Sequence, residues 1–376
     1  MWRLRKALYG LREVPRLFQE HLAKVLAKHG FRRLIADPQL FVHEATDSLV
    51  SVFADDILIC AADEHMEEIK GAMQAELKIK WGALIREEPV KYLGREWLRT
   101  ETGYVVRTPE KYWQETLVNS GMQNCRALST PAEVGSPTPD SSPQLEARDH
   151  ARYRSLVGRV MWTLGERPDL AFACKELARH VQHPTERDMQ RMKRMLRYLR
   201  GSRSMCLHLG EGFAGDQDEI SVMTDANWAS GEGRRSTSGG IIFYGGVVIA
   251  TWSRTQSVVA LSSCESELLA VGVGAQEGKH VQSILQELGI VTKLKIYCDS
   301  SSARQLIGRR GVGRLKHMEV REFWLQDEAR AGRLEIRAVS SQNNLADLLT
   351  KAFARARFES LCELIGLQYD NDDEEE

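Results

Sequence analysis

A chain of 376 residues, 43% hydrophobic and 27% charged, has room for two or three domains and a substantial core, and its composition does not support global disorder. Seven cysteines, widely spaced and never arranged as Cys-x-x-Cys, argue against a disulfide framework and a zinc site. The absence of an apolar leader or of any run of 18 apolar residues argues against secretion and membrane spanning. An intracellular chain is expected, cytoplasmic or nuclear. The formal charge of −1 hides an uneven distribution: Ala151 to Arg203 carries a balance of +8, whereas Asp370 to Glu376 is almost wholly acidic and reads as a solvated tail.

In chain order, an apolar and basic pattern predicts a helix from about Pro15 to Gly30. Leu49 to Ala62 reads as two short strands hinged at Asp55-Asp56, followed by an amphipathic helix over Glu64 to Lys78. Ser129 to Arg148, rich in Pro, Ser and Thr, is the expected linker. Helices follow at about Ala151 to Leu164, Asp169 to Gln182 and Glu186 to Gly201. In the last, Arg191, Arg194, Arg197 and Arg200 recur every three residues beside an apolar face of Met192, Met195, Leu196 and Leu199.

From Ile220 the period changes to that of strands: Val222 to Asn227, Gly240 to Tyr244 and Val247 to Trp252, a three-stranded antiparallel meander turning at Gly245-Gly246. A long helix runs from Ser263 to its stop at Gly289, and a buried strand, Leu294 to Cys298, ends at Asp299. Helices from Ser301, over Arg314 to Ala331 and over Asn344 to Ala354, with a strand at Leu334 to Val339, complete a mixed sheet flanked by helices.

Four acids in four separate segments, Asp225, Glu267, Asp299 and Asp347, each fall where a strand ends or a helix begins. Carboxylate oxygens are the ligands Mg²⁺ prefers, and two such ions about 3.5–4 Å apart can stabilise both the attacking and the leaving oxygen of a phosphodiester. Glu265 competes with Glu267, since the two point about 200° apart around one helix and only one can face the sheet.

These segments resemble the RNase H domain of copia-type retrotransposon polyproteins. The matching text is Thr-Asp-Ala-Asn-Trp-Ala (224–229), Arg-Arg-Ser-Thr-Ser-Gly-Gly (234–240), Ala-Leu-Ser-Ser-Cys-Glu-Ser-Glu (260–267), Tyr-Cys-Asp-Ser (297–300), Lys-His-Met-Glu (316–319) and Leu-Ala-Asp-Leu-Leu-Thr-Lys (345–351). The resemblance implies that Asp225, Glu267, Asp299 and Asp347 hold two Mg²⁺ ions, with Mn²⁺ as a substitute, and it favours Glu267 over Glu265. The loop Ser340-Ser341-Gln342-Asn343-Asn344 lacks the His that many RNase H enzymes carry before the last Asp.

The first third resembles the reverse transcriptase of the same polyproteins, through Leu8-Tyr9-Gly10-Leu11-Arg12-Glu13-Val14-Pro15, Phe53-Ala54-Asp55-Asp56 and Lys91-Tyr92-Leu93-Gly94. Asp55 and Asp56 are its candidate metal ligands. The family's earlier palm Asp has no counterpart here, so no autonomous DNA synthesis is expected unless an upstream segment restores it. The +8 stretch, with Arg167-Pro168-Asp169, resembles the family's connection; Arg191, Arg194 and Arg197, with Arg234 and Arg235, are candidate nucleic-acid contacts.

The expected fold is α/β (α+β). A truncated palm and thumb (1–128), a Pro/Ser-rich linker (129–150), a basic helical connection (151–210), an RNase H-like domain on a mixed five-stranded sheet (211–366) and an acidic disordered tail (367–376) are expected to follow one another. The expected partner is an RNA/DNA hybrid and the expected reaction is hydrolysis of its RNA strand. The alternatives are a polymerase completed by the upstream segment and a non-enzymatic nucleic-acid-binding remnant.

Overall fold

The computed structural model describes residues 10–135, 140–210, 216–230, 232–311 and 324–370. His317, the first ten residues of the helix expected from Arg314, and residues 371–376 of the acidic tail lie outside these ranges. The chain divides into two units, one of residues 1–94 with 283–291 and one of residues 95–282 with 292–376.

In the first unit, helix α1 (Val14–Lys28) and helix α2 (Asp63–Glu76) cover a sheet of β1 (Arg32–Arg33), β2 (Leu40–His43), β3 (Ser48–Phe53) and β4 (Asp56–Cys60). Leu22 and Leu26 of α1, Ile69 and Met73 of α2, and Phe41, Val50 and Val52 of the strands share one core. Phe53 pairs with Asp56, so the hairpin turns on Ala54-Asp55, with Ala54 at φ 53°, one residue earlier than expected. A short strand β5 (Val90–Tyr92) follows, and the Tyr92 hydroxyl meets Ser51 Oγ at 3.1 Å.

The second unit begins with strands that periodicity did not single out. β6 (Arg95–Thr100), β7 (Gly103–Arg107) and β8 (Met205–Gly210) are antiparallel neighbours, and β14 (Leu367–Tyr369) pairs with β8. Helices α3 (Glu110–Asn119), α4 (Ala147–Trp162), α5 (Ala171–Arg179) and α6 (Glu186–Gly201) share a core built on Trp113, Tyr153, Val157, Met192 and Leu196. Within it Arg167 forks onto Asp169 at 2.9 and 2.7 Å and bonds Ser202, while the Tyr198 hydroxyl donates to Asp169 at 2.7 Å; both charges are fully buried. Thr185 and Asp188 form a capping box that starts α6 where the sequence places it.

The described part of the Pro/Ser-rich stretch packs within this unit. Leu145 N–H donates to the Pro184 carbonyl at 2.8 Å and Glu186 N–H to the Pro143 carbonyl at 3.0 Å. A proline-rich composition lowers helix content, but these backbone bonds still anchor the segment to the start of α6.

The third sheet has the order β11-β10-β9-β12-β13, the mixed five-stranded sheet expected of the RNase H-like part. β9 (Glu219–Asn227), β10 (Thr237–Tyr244) and β11 (Val247–Thr255) form the antiparallel meander; β12 (Lys293–Cys298) lies parallel to β9, and β13 (Glu335–Ala338) parallel to β12. Helix α7 (Ser263–Glu287) lies close against β9 because it is small where it touches. A Cβ at Gly274 would fall 2.5 Å from the Thr224 methyl. α8 (Ser301–Ile307) and α9 (Trp324–Arg330) follow.

The expected helix from Asn344 to Ala354 is instead a 3-10 turn, Leu345–Leu349, with α10 (Arg355–Leu364) starting afresh after it. Asn344 explains the break: its side chain accepts from Ala346 N–H at 3.3 Å and donates to the Thr224 carbonyl at 2.9 Å, pinning the turn to β9.

Candidate metal centre

Strand register brings the first two acids together. Cys298 of β12 is level with Thr224 of β9, so the next residues, Asp299 and Asp225, emerge beside one another at the carboxyl ends of two parallel strands. The turn bearing Asp347 reaches the same rim because Gly239, paired with Asp225 on β10, has no side chain: a Cβ there would fall 2.6 Å from the Thr350 methyl and 2.9 Å from the Leu349 Cβ.

The first turn of α7 supplies the fourth acid and separates the two glutamates. Glu265 turns back on the helix start, where its carboxylate accepts from Leu261 N–H at 2.8 Å. Glu267 turns toward the rim, and the ligand atoms of Glu267, Cys298 and Asp299 all lie within 4.8 Å of one another. Gln256 fixes this placement, bonding Ser238 Oγ at 2.9 Å and the Ser266 carbonyl at 2.8 Å.

The electrostatics are those of a crowded, half-neutralised carboxylate cluster. Burial, followed by the charges of Asp225 and Asp299, pushes the Glu267 carboxyl up to about 9, against a smaller opposing pull from the Ala226 N–H. Burial and Asp225 likewise raise Asp347 to about 6. Glu267 Oε2 is buried without a hydrogen-bond partner, although the residue is only 8% exposed. An acceptor left bare in this position is what a divalent cation would satisfy.

Sequence reasoning did not single out three side chains that serve this rim. The Thr350 hydroxyl donates to Asp225 Oδ2, and the Ser341 hydroxyl donates to Asp299 Oδ2 at 2.8 Å. The Lys351 ammonium lies 2.7 Å from Asp347 Oδ1 and 3.6 Å from Asp225 Oδ2. Burial draws its pKa down, but Asp225 and Asp347 outweigh burial and the net shift is upward. The signal for Lys351 was its place four residues after Asp347, within hydrogen-bonding reach on one helical face.

The other candidates lie elsewhere. Asp55 and Asp56 sit exposed at the β3–β4 turn of the first unit. Arg234 and Arg235 are exposed in the loop before β10. The α6 arginines are largely engaged within the second unit: Arg191 with Asp188 at 3.2 Å, Arg194 with Thr130 at 3.0 Å and Glu133 at 3.2 Å, and Arg197 with the Arg126 carbonyl at 2.8 Å. Of the tryptophans, Trp252 is buried against Gly240, while Trp228 is half exposed with its ring N–H on the Ala260 carbonyl.

Residues 1–134 match the family "Reverse transcriptase (RNA-dependent DNA polymerase)". Over 97% of its length the chain is 31% identical to the retrovirus-related Pol polyprotein from transposon RE1 of Arabidopsis thaliana and 29% identical to that from transposon TNT 1-94 of Nicotiana tabacum. The chain belongs to the copia-type retrotransposon Pol polyproteins. It spans about a quarter of the length of these Pol relatives, 25% and 28% respectively. The Pol chain also shares its fold with the foamy viral protease-reverse transcriptase solved in complex with RNA/DNA hybrid, at a TM-score of 0.53 and 14% identity over 89% of this chain and 39% of that one. Among the described residues no helix is long and apolar enough to cross a membrane.

Proposed function

We propose that the second unit hydrolyses the RNA strand of RNA/DNA hybrids with the help of two divalent cations. The observation that carries this reading is that Glu267 and Asp299 lie together, that Lys351 joins Asp225 to Asp347, and that Asp225 and Asp299 act on Glu267 by charge, with Glu267 Oε2 left unpaired in a buried position. Of the three ligand atoms within 4.8 Å of one another, two are carboxylate oxygens and one is the Cys298 thiol; with Asp225 and Asp347 alongside, hard oxygen predominates, which fits Mg²⁺ or Mn²⁺. Asp225, Glu267 and Asp299 would hold one ion, and Asp225 with Asp347 the other. When bound, such ions activate water as the nucleophile and stabilise the departing oxygen of a phosphodiester.

The chain's own residues prepare this site. Thr350 and Ser341 fix the carboxylate planes of Asp225 and Asp299, so little reorganisation is left for the moment of reaction. Thr224 and Cys298, the residues before Asp225 and Asp299, are fully buried and keep water from that side. Arg234 and Arg235 are exposed in the loop before β10 and suit contact with a phosphate backbone. An RNA/DNA hybrid is the substrate that the family resemblance implies, and the foamy viral relative in fold was solved with one.

The test is Mg²⁺-dependent cleavage of a labelled RNA/DNA hybrid by the full chain, beside Asp225→Asn and with duplex RNA as a control. Hybrid-specific cutting that is lost in the variant supports the reading. A folded chain that binds the hybrid and does not cut it overturns the hydrolase in favour of a binding remnant.

A second reading concerns the first unit alone. Its match to the reverse transcriptase family and the paired Asp55-Asp56 at a hairpin turn favour a part in templated DNA synthesis, completed by an upstream segment of the polyprotein. Primer extension by this chain mixed with that segment, lost in Asp56→Asn, would bear it out; extension unaffected by the substitution would remove it.

A further inference from the structure

The two halves of the carboxylate cluster are not equivalent. Glu267 Oε2 is buried without a hydrogen-bond partner, whereas the Lys351 ammonium already lies between Asp225 and Asp347, 3.6 Å from Asp225 Oδ2 and in ion-pair contact with Asp347 Oδ1 at 2.7 Å. Lys351 arrives there from the second residue after the 3-10 turn, four positions beyond Asp347, and its side chain is 40% exposed. That exposure gives the ammonium a path to solvent.

We propose that Lys351 is a built-in counter-cation that occupies the Asp225–Asp347 sub-site and must swing out before a divalent ion enters it. An ammonium and a divalent ion cannot share the gap between the same two carboxylates, because at such distances in a partly buried site like charges repel strongly. The consequence is ordered filling: the Asp225–Glu267–Asp299 sub-site takes the first ion, and the second enters only against Lys351. The device also keeps the metal-free rim from flying apart, since two of its four carboxylates are bridged. This inference rests on the metal-site reading above, but it concerns the order and affinity of binding and not cleavage.

Mn²⁺ binding to the full chain, followed by calorimetric titration and by the electron paramagnetic resonance signal of free Mn²⁺, separates the two claims. The wild type is expected to show a tight and a weak class of site. Lys351→Gln should tighten the weak class by about tenfold or more and leave the tight class within about threefold, as expected from removing one competing unit charge. Lys351→Arg, which keeps the charge, should leave the weak class weak. A second readout follows the lysine itself: Mn²⁺ should speed acetylation of Lys351, measured by peptide mass spectrometry, because the displaced ammonium enters solvent. Superimposable isotherms for wild type and Lys351→Gln, or Lys351 acetylation that is unchanged or slowed by Mn²⁺, would overturn the displacement while leaving the metal site standing. No Mn²⁺ binding by the folded wild type would overturn both.

Discussion

Replacing Glu267 by Gln should make the metal-free chain more stable. Burial and the charges of Asp225 and Asp299 raise this carboxyl from its ordinary 4.5 to about 9. The folded chain therefore keeps a proton that the unfolded chain gives up, unfolding releases a proton between those two values, and stability falls as pH rises through that window. Each pH step of one in the window costs about 1.4 kcal/mol, so at pH 7 the buried carboxyl costs about 3 kcal/mol. Gln keeps the shape and cannot ionise, so in EDTA at pH 7 Glu267→Gln should stabilise by up to about 3 kcal/mol and flatten the dependence of stability on pH between 5 and 9. Saturating Mn²⁺ should reverse the order, because the cation stabilises the ionised carboxylate that only the wild type has. Urea unfolding across pH, with and without metal, measures all of this. A wild type whose metal-free stability is flat from pH 5 to 9, or a Gln variant no more stable than wild type at pH 7, would refute the account of Glu267 as a strained acid waiting for a cation.

Three further substitutions probe the rim and the core of the second unit. Gly239→Ala drives a methyl group to within 2.6 Å of the Thr350 side chain and 3.0 Å of the Ala346 carbonyl, and should cost about 1–3 kcal/mol together with weakened Mn²⁺ binding through displaced Asp347; unchanged melting and binding would show that the turn has room to spare. Thr350→Val removes the hydroxyl that donates to buried Asp225 and should cost about 1–3 kcal/mol in EDTA, with partial recovery when a metal takes the freed oxygen; equal loss with and without metal would contradict this. Arg167→Met strands Asp169 in the core and should destabilise by about 3–5 kcal/mol, while Arg167→Met with Asp169→Leu recovers much of that; a single variant within about 1 kcal/mol of wild type by urea unfolding would overturn the buried pair as a support of the second unit.

Much of this architecture was legible because strong periodicity coincided with clear stop signals. The Gly245-Gly246 turn between two apolar runs defines the β10–β11 hairpin, and the apolar face of Met192, Met195, Leu196 and Leu199 marks α6, whose start is capped by Thr185 and Asp188. The strands β6, β7 and β8 were passed over because their sequences, such as Arg95 to Thr100, mix charged and apolar residues without clean alternation. They become strands because their neighbours supply the ladder and the core of Trp113 and Leu196 covers one face. The arginine stripe of α6 shows the opposite case: a real period of three, read as a surface for phosphates, is drawn on heavily by bonds to Asp188, Thr130, Glu133 and the Arg126 carbonyl. Sequence spacing shows which residues share a helical face, but not what the rest of the chain lays against it.

The same limit explains the metal centre. The four acids could be picked out because each stands at the end of an element, where a carboxylate can reach a sheet rim. The Leu261 N–H helps to hold Glu265 to the helix start, while Glu267 faces the rim. Asp347 reaches the cluster on a 3-10 turn and not on the expected helix. Asn344 ties that turn to the Thr224 carbonyl, and the missing side chain of Gly239 makes room for it. Those are tertiary bonds between residues more than 100 positions apart, and no local pattern encodes them. They also fix where Lys351 falls. With the turn held against β9, the residue after Thr350 is delivered to the gap between Asp225 and Asp347, so the geometry that completes the carboxylate set also fills half of it with a lysine. A cluster assembled this way bridges two of its carboxylates with Lys351 and keeps, at Glu267, a buried oxygen without a hydrogen-bond partner.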